Sequence, residues 1–334
     1  MNTLCAFSSD SRELYRADIY RVLALPKNYI VHFRYKKQYV ENQLLTDTSG
    51  LRGQRVAVFY TCGNKLDSDE PAFKHFSIRW ATITTAEFSE ETEVFHIYMK
   101  LGDFCNVHIN TNDSNEGKPP TEFFTMLSCT ESDVEKNWQS RILAIKDFFP
   151  DITFFHLKAI RNGWGSKHIY YNYDKKSCHY NLAHGEKYIL ELAVANPNVS
   201  DTKIEISDSS EEITINCINP FESSIQFDDH DIPISVKTLQ VFKQTSLLEF
   251  KPTEQKGDSY IVKGEYSTNI ELNLTLSLKR PLVFGLFSTM AFWAVMLAKP
   301  ISSSAIWPSD WKLVCATVLF YFSSSSLFFW FNKR

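Results

Sequence analysis

Two stretches of the sequence combine cations with aromatic rings, the side chains that hold single-stranded nucleic acids and nucleotides. They are RNGWGSKHIYYNYDKKSCHY at residues 161–180 and FRYKKQY at residues 33–39. In such sites cations contact phosphates and aromatic faces stack on bases, each stack contributing about 1–3 kcal/mol. The candidate ligand contacts are Trp164, Lys167, His168, Tyr171, Lys175 and Lys176 in the first stretch and Arg34, Lys36 and Lys37 in the second.

The same composition has two other interpretations. Alternating aromatic residues and lysines are typical of a half-buried strand, so residues 161–180 can equally be strand filler or a subunit contact. The acidic segment 201–231 holds nine acids against Lys203, and in a neighbouring subunit it would complement the basic stretches. The sequence leaves these interpretations open.

Metal and catalytic sites are less favoured. In FDDHD at 227–231 consecutive residues of a strand would point to opposite faces, so a solvated turn before Pro233 is favoured over a metal site. Cys178-His179 is not accompanied by a GxSxG, HExxH, P-loop or GxGxxG motif. We therefore predict a protein that is not an enzyme, without a catalytic residue, metal or cofactor.

The length of 334 residues allows about two domains. The net charge of −4 does not indicate a nucleic-acid partner, so only the local distribution of charge is informative. Seven cysteines are scattered without CxxC spacing, which favours a reducing compartment, and the N-terminus lacks a signal-peptide pattern. Both features predict that the first 280 residues lie in the cytosol.

The elements that would position these residues are mainly strands. A β-rich N-terminal domain is predicted for 1–129, from segments such as IYRVLAL at 19–25 and RVAVFYTC at 55–62. A helix and basic aromatic connector follow at 130–186. Thr130 and Asp133 resemble a capping box, and an amphipathic helix would end at Pro150.

A second β-rich domain is predicted for 187–280, with turns at the intervals of a sandwich. In its last strand Ile270, Leu272 and Leu274 alternate with polar residues, so one face is expected to be buried. Only Lys279, Arg280 and Pro281 separate this region from the apolar C-terminus, a short junction that favours mechanical coupling.

The C-terminal residues 281–334 are predicted to form a transmembrane hairpin. The uncharged runs 281–298 and 313–331 are about the length that spans the ~30 Å hydrocarbon core. The expected fold class is thus a mainly β soluble region, with antiparallel barrel or sandwich domains and one amphipathic helix, plus this α-helical hairpin. A passive anchor and an oligomeric pore remain open. Candidate pore or helix-packing residues are Gly285, Thr289, Thr317, Tyr321 and Ser324.

In domain order and hairpin position the chain resembles the two-transmembrane effectors of bacterial anti-phage defence, most of all the channel effector of the Hailong system. The resemblance rests on architecture and transfers no site residue. It implies a homo-oligomeric ion channel of the bacterial inner membrane that depolarises the host when infection removes an inhibitory ligand. Two helices cannot enclose water, so a pore requires an oligomer, with a tetramer favoured, and the missing signal-peptide pattern predicts that both termini are cytoplasmic. The implied ligand is a nucleotide or short single-stranded DNA made by a partner nucleotidyltransferase. Two rivals are a membrane-anchored, protein-binding scaffold and a tethered enzyme.

Overall fold

The computed structural model of the chain describes most of the β-rich part and a little of the C-terminal part. The described residues are 2–8, 13–62, 74–110, 122–133, 153–163, 168–174, 177–195, 203–222, 227–237, 243–256, 259–262, 266–275, 282, 284–291 and 317–324.

The first sheet has seven strands in the order β2-β5-β4-β3-β1-β7-β6. Its strands are β1 (Asn2–Phe7), β2 (Ile30–Lys36), β3 (Arg55–Cys62), β4 (Lys74–Ser89), β5 (Val94–Phe104), β6 (Val107–Ile109) and β7 (Phe124–Glu131). Strands β1 and β3 are parallel, whereas the other pairs are antiparallel. Strand β2 therefore forms one edge of this sheet.

Alternation along β5 shows why the sequence forms this sheet. Phe95, Ile97 and Met99 are fully buried, while the intervening side chains point to the other face. The period of two is that of a pleated strand with one face on the core.

Helix α1 (Glu13–Ala24) lies between β1 and β2. The strand predicted at residues 19–25 is therefore wrong. Ala17, Tyr20 and Ala24 are buried, and their spacing of three and four residues matches one face of a helix. A shorter helix α2 (Asn42–Thr46) and two 3₁₀ turns, Lys37–Tyr39 and Ser49–Leu51, precede β3.

The second sheet has the strand order β10-β11-β19-β17-β13-β15, and β18 also pairs with β17. Its strands are β10 (Asn172–Asp174), β11 (Ser177–Ala183), β13 (Lys203–Asp208), β15 (Phe221–Glu222), β17 (Lys243–Lys256), β18 (Ser259–Val262) and β19 (Thr268–Thr275). As the alternation predicted, Ile270, Leu272 and Leu274 of β19 are buried.

The third sheet has the order β14-β16-β12-β8-β9. Its strands are β8 (Phe154–Asn162), β9 (His168–Ile169), β12 (Lys187–Ala195), β14 (Ile213–Ile215) and β16 (Phe227–Val236). Strands β8 to β11 come from residues of the predicted connector. Two of them, β8 and β11, pair with strands of the region after residue 187, and β9 and β10 pair with β8 and β11.

Two local predictions are corrected by these strands. Thr130 pairs with His108 within the β6–β7 ladder, so it does not cap a helix; the rest of the predicted helix, 134–150, lies outside the described residues. FDDHD is part of β16 and not a turn, because residues 228–231 pair with β12 along their whole length.

The three sheets share one hydrophobic core. Ile97 of the first sheet, Leu272 of the second and Leu190 of the third belong to the same buried cluster. The core also holds a buried cation, Arg79 of β4, with no exposed surface. Its guanidinium donates to the carbonyl oxygens of Leu23, at 2.9 Å, and of Gly102, so it connects α1 to the first sheet. Burial lowers the pKa of Arg79 to about 9. Because this value is still above neutral pH, the guanidinium stays charged there.

In the described part of the chain, no helix is both long enough and apolar enough to cross a membrane. This finding contradicts the predicted transmembrane hairpin at 281–334 and the two-pass inner-membrane location. The predicted membrane channel depended on this hairpin and this location, so neither of them supports it any longer.

Candidate functional site

The described residues of the stretch 161–180 are engaged in contacts within the chain. Arg161 on β8 donates from Nε to Glu191 Oε1 at 2.9 Å and from a terminal nitrogen to Asp231 at 2.6 Å. The Nε2 atom of His168, one of the predicted contacts, lies 3.1 Å from the same Glu191 oxygen. This network across strands β9, β8, β12 and β16 engages His168, one of the predicted contacts, and Arg161, which was not among them.

Tyr171, another predicted contact, is a core residue with 6% of its surface exposed. Its ring stacks on Tyr29 at a centroid distance of 5.1 Å and meets Tyr180 edge-on at 5.5 Å. The remaining predicted contacts of this stretch lie outside the described residues: Trp164, Lys167, Lys175 and Lys176. Ligand binding by residues 161–180 stays a prediction.

The acidic segment meets basic residues of its own chain. Asp231 pairs with Arg161, and Lys158 lies 2.7 Å from Asp229. Asp229 and Asp231 therefore share one face of β16, while His230 points to the other face, against the ring of Phe221 at 5.3 Å. Charges that looked complementary between subunits are thus partly paired within one chain.

The second predicted patch lies on the exposed edge strand β2. Arg34 and Lys36 are exposed and occupy alternate positions, so both point to the outer face of the first sheet. Lys37 follows in the 3₁₀ turn, and its Nζ lies 5.9 Å from the centroid of the Phe88 ring. Arg34 and Lys36 remain together on the sheet face, and Lys37 does not join them.

Strand β5 adds further ligand-type side chains to this face. Register places His32 opposite Tyr98, Arg34 opposite His96 and Ile30 opposite Lys100. Opposite residues of an antiparallel pair project from the same face. We call this surface the β2–β5 face and define it by six residues: His32, Arg34, Lys36, His96, Tyr98 and Lys100.

Three rings of the β2–β5 face are in contact. The imidazole of His32 stacks on the Tyr98 ring, with centroids 4.2 Å apart and planes 6° apart. The His96 ring lies 5.2 Å from His32 with an interplanar angle of 22°. His32 Nε2 and His96 Nδ1 are 3.0 Å apart, within hydrogen-bond distance. Because His32 is exposed, this aromatic cluster lies at the protein surface.

The charge of the β2–β5 face is mainly positive. Arg34, Lys36 and Lys100 form no ion pair with any residue that the structure describes. Partial burial lowers the pKa of His32, and the neighbouring His96 and Arg34 lower it further, whereas Glu87 acts in the opposite direction. Glu87 stands opposite His96 on β4 and contributes the negative charge of this surface.

Sequence reasoning missed His32, His96, Tyr98 and Lys100. The signal was present in the sequence as the alternation His32-Arg34-Lys36 and His96-Tyr98-Lys100. Only the β2–β5 register shows that these two polar faces are one surface.

The candidate pore residues lie in the two C-terminal helical stretches. Thr289 Oγ1 donates to the carbonyl of Gly285 at 2.7 Å, and Ser324 Oγ donates to that of Tyr321 at 3.0 Å. The Tyr321 hydroxyl lies 3.4 Å from the carbonyl oxygen of Leu282, which brings the two stretches together. Gly285 and Ser324 are buried and Thr317 is half-buried, and their predicted role in a pore or in helix packing is not tested by these contacts.

Comparisons with known proteins do not assign a family. No protein-family model matches the sequence. No curated protein matches it either. Among solved structures, the VesB protease of Vibrio cholerae is 9% identical over 68% of this chain and 89% of that chain, with a TM-score of 0.17. A TM-score of this size carries no argument about fold or activity.

Proposed function

We propose that this chain binds a nucleotide or a short single-stranded oligonucleotide on the β2–β5 face. The observation that carries the proposal is the exposed His32–Tyr98 stack on one surface with Arg34, Lys36 and Lys100. Rings offer a stacking surface to a base of any identity, and the cations contact the phosphates beside it. The face therefore suits recognition of a flexible, phosphate-bearing chain.

The availability of its cations supports the β2–β5 face over the described part of the stretch 161–180. Arg161 would have to leave Glu191 and Asp231 to reach a phosphate, because both carboxylates lie within hydrogen-bond distance of it. Arg34 and Lys36 have no such partner among the described residues, so a phosphate would add contacts without breaking one. Exposed cations of this kind contribute most of the salt-dependent affinity for nucleic acids.

The proposal includes only the ligand binding that was expected from the sequence. The pore depended on a hairpin that the described helices contradict, so it is not part of the proposal. Assembly into a homo-oligomer stays a prediction, as does the alternative of a protein-binding module.

The test is the affinity of a fluorescent ten-nucleotide single-stranded DNA, measured by anisotropy over a range of salt concentrations. Three phosphate contacts predict a slope of log K against log [salt] of about −2, at roughly −0.7 per contact. In Arg34→Gln/Lys36→Gln the slope should fall to about −0.7. The affinity at low salt should drop at least about tenfold, because each charged hydrogen bond is worth about 1.5–3 kcal/mol.

The matched control is Lys187→Gln/Lys237→Gln, which removes the same charge from exposed positions of the third sheet region. It should leave both the affinity and the slope close to those of the wild type. Equal losses in the two double variants would show that only net charge matters, and the proposed face would be rejected.

A further inference from the structure

The two histidines of the β2–β5 face form a pair whose hydrogen-bonding character depends on its protons. With both rings neutral, the 3.0 Å contact between His32 Nε2 and His96 Nδ1 uses one N–H donor and one bare nitrogen. The outer nitrogens are then one donor and one acceptor. A single added proton leaves the bridging contact intact and makes both outer nitrogens donors.

The groups around the pair favour an anion, and they favour it more strongly once the pair is protonated. From β2, Arg34 stands opposite His96, and from β4, Glu87 stands opposite His96 on its other side. Lys36, Tyr98 and Lys100 complete the surroundings on β2 and β5. Glu87 repels an anion next to a neutral pair, but it stabilises the imidazolium once the pair has gained a proton.

A terminal phosphate matches the protonated pair better than a phosphodiester does. A phosphomonoester has a second pKa near 6, so around neutral pH it carries close to two charges and three acceptor oxygens. A phosphodiester offers one charge and two free oxygens. The two outer N–H groups and the guanidinium of Arg34 together supply charged donors for such a group.

We propose that the His32–His96 pair recognises a terminal phosphomonoester of the ligand and takes up one proton when that phosphate binds. The inference rests on the proposed function, because it assigns a ligand group and a pH response to the same face. The lowered pKa of His32 favours its neutral imidazole before the ligand arrives. Affinity for a phosphate-terminated ligand should then rise as the pH falls, since protonation and binding are linked.

The experiment compares two probes that differ only at the 5′ end. A ten-nucleotide single-stranded DNA with a 3′ fluorophore carries either a 5′-phosphate or a 5′-hydroxyl, and its affinity is measured at pH 6.5 and pH 8.0 at constant ionic strength. At pH 6.5 the wild type should prefer the 5′-phosphate by about tenfold, the value of one charged contact. At pH 8.0 the preference should fall to about twofold or less, because the linked proton is lost.

A double variant, His32→Gln/His96→Gln, distinguishes the contribution of the histidine pair from that of the other residues of the face. It should lose the preference for the 5′-phosphate at both pH values and bind the two probes equally. Its affinity for both probes should be lower than that of the wild type, because the substitution also removes the His32 ring that stacks on Tyr98. Since His32 is exposed and His96 half-buried, thermal unfolding of this variant should match that of the wild type.

The possible failures are distinguishable. If the wild type binds both probes equally at both pH values and keeps its salt slope, the role of the histidine pair is overturned and the proposed function stands. The same conclusion follows from a preference that the double variant retains. If neither probe binds at either pH, the proposed function fails and the inference fails with it.

Discussion

The ring of Tyr171 stacks on the ring of Tyr29, with centroids 5.1 Å apart and planes at 29°. Tyr29 immediately precedes β2, and Tyr171 lies between β9 and β10, so the stack joins the first sheet to the strands that follow residue 168. The same ring meets Tyr180 of β11 edge-on. Tyr171 is therefore part of the packing between sheets, and its substitution should affect stability before it affects any ligand.

We expect Tyr171→Ala to lower the free energy of unfolding by about 3 kcal/mol or more, as large-to-small changes of buried aromatics do. The adjacent Tyr170, with 52% of its surface exposed, is the matched control. Tyr170→Ala should cost less than about 0.5 kcal/mol. Denaturant unfolding followed by circular dichroism measures both. Similar losses at the two positions would contradict the assignment of Tyr171 to the core.

Arg79→Met should destabilise the protein by about 3 kcal/mol or more. The substitution leaves the carbonyls of Leu23, Leu25 and Gly102 without the guanidinium that bonds them, and a buried polar group without its partner costs about 1–3 kcal/mol. The effect should be visible as a lower midpoint in urea unfolding.

The control for Arg79 is the same substitution at Arg55 on the neighbouring strand β3. Arg55 lies 3.5 Å from the Trp80 ring centroid and pairs with Glu131, but half of its side chain is exposed. Exposed ion pairs and cation–π contacts each contribute about 1 kcal/mol or less. If Arg55→Met were as damaging as Arg79→Met, the link from Arg79 to α1 would not be a main source of stability.

His156 should make stability depend on pH below about 6.5. Burial, together with the charge of Arg79, lowers the pKa of His156 well below its usual value. Above the unfolded pKa near 6.5 neither state binds the proton, so His156 has no effect on the pH dependence. Below it the unfolded chain binds a proton that the folded chain does not, and stability falls by about 1.4 kcal/mol per pH unit.

This contribution is measured by comparing wild type and His156→Leu in urea unfolding at pH 7.5, 6.0, 5.5 and 5.0. Between pH 6 and pH 5 the slope of unfolding free energy against pH should be smaller in the variant by about 1.4 kcal/mol per unit. Parallel curves would show that His156 takes up its proton in the folded state as readily as in the unfolded chain.

The mainly β character could be predicted because it depends on local patterns. The predicted strand at residues 55–62 coincides with β3, and the alternation in β19 correctly gave its buried face. Helix α1 was missed because IYRVLAL is rich in β-branched and aromatic residues, although Ala17, Tyr20 and Ala24 have helical spacing. The composition of this segment therefore led to a predicted strand, although the helical periodicity was visible in the sequence.

Only part of the candidate site could be predicted from the sequence, and the reason is different. Arg34 and Lys36 could be identified from local composition, but their partners His96 and Tyr98 lie about sixty residues away along the chain. Their proximity follows from the register of β2 against β5, and a single sequence does not specify register. For the same reason the pairing of Arg161 with Asp231 could not be foreseen, and the 161–180 stretch appeared more available than its described residues are.

The most direct measurement is ultraviolet crosslinking of a bound ten-nucleotide oligothymidylate, followed by mass spectrometry of the crosslinked peptides. Binding at the β2–β5 face predicts crosslinks on Tyr98 or His32, the rings stacked on that surface. At a sub-saturating ligand concentration these crosslinks should weaken by at least about tenfold in Arg34→Gln/Lys36→Gln and persist in Lys187→Gln/Lys237→Gln. Crosslinks confined to residues 161–180, or absent from both β2 and β5 at a saturating ligand concentration, would contradict the proposed site.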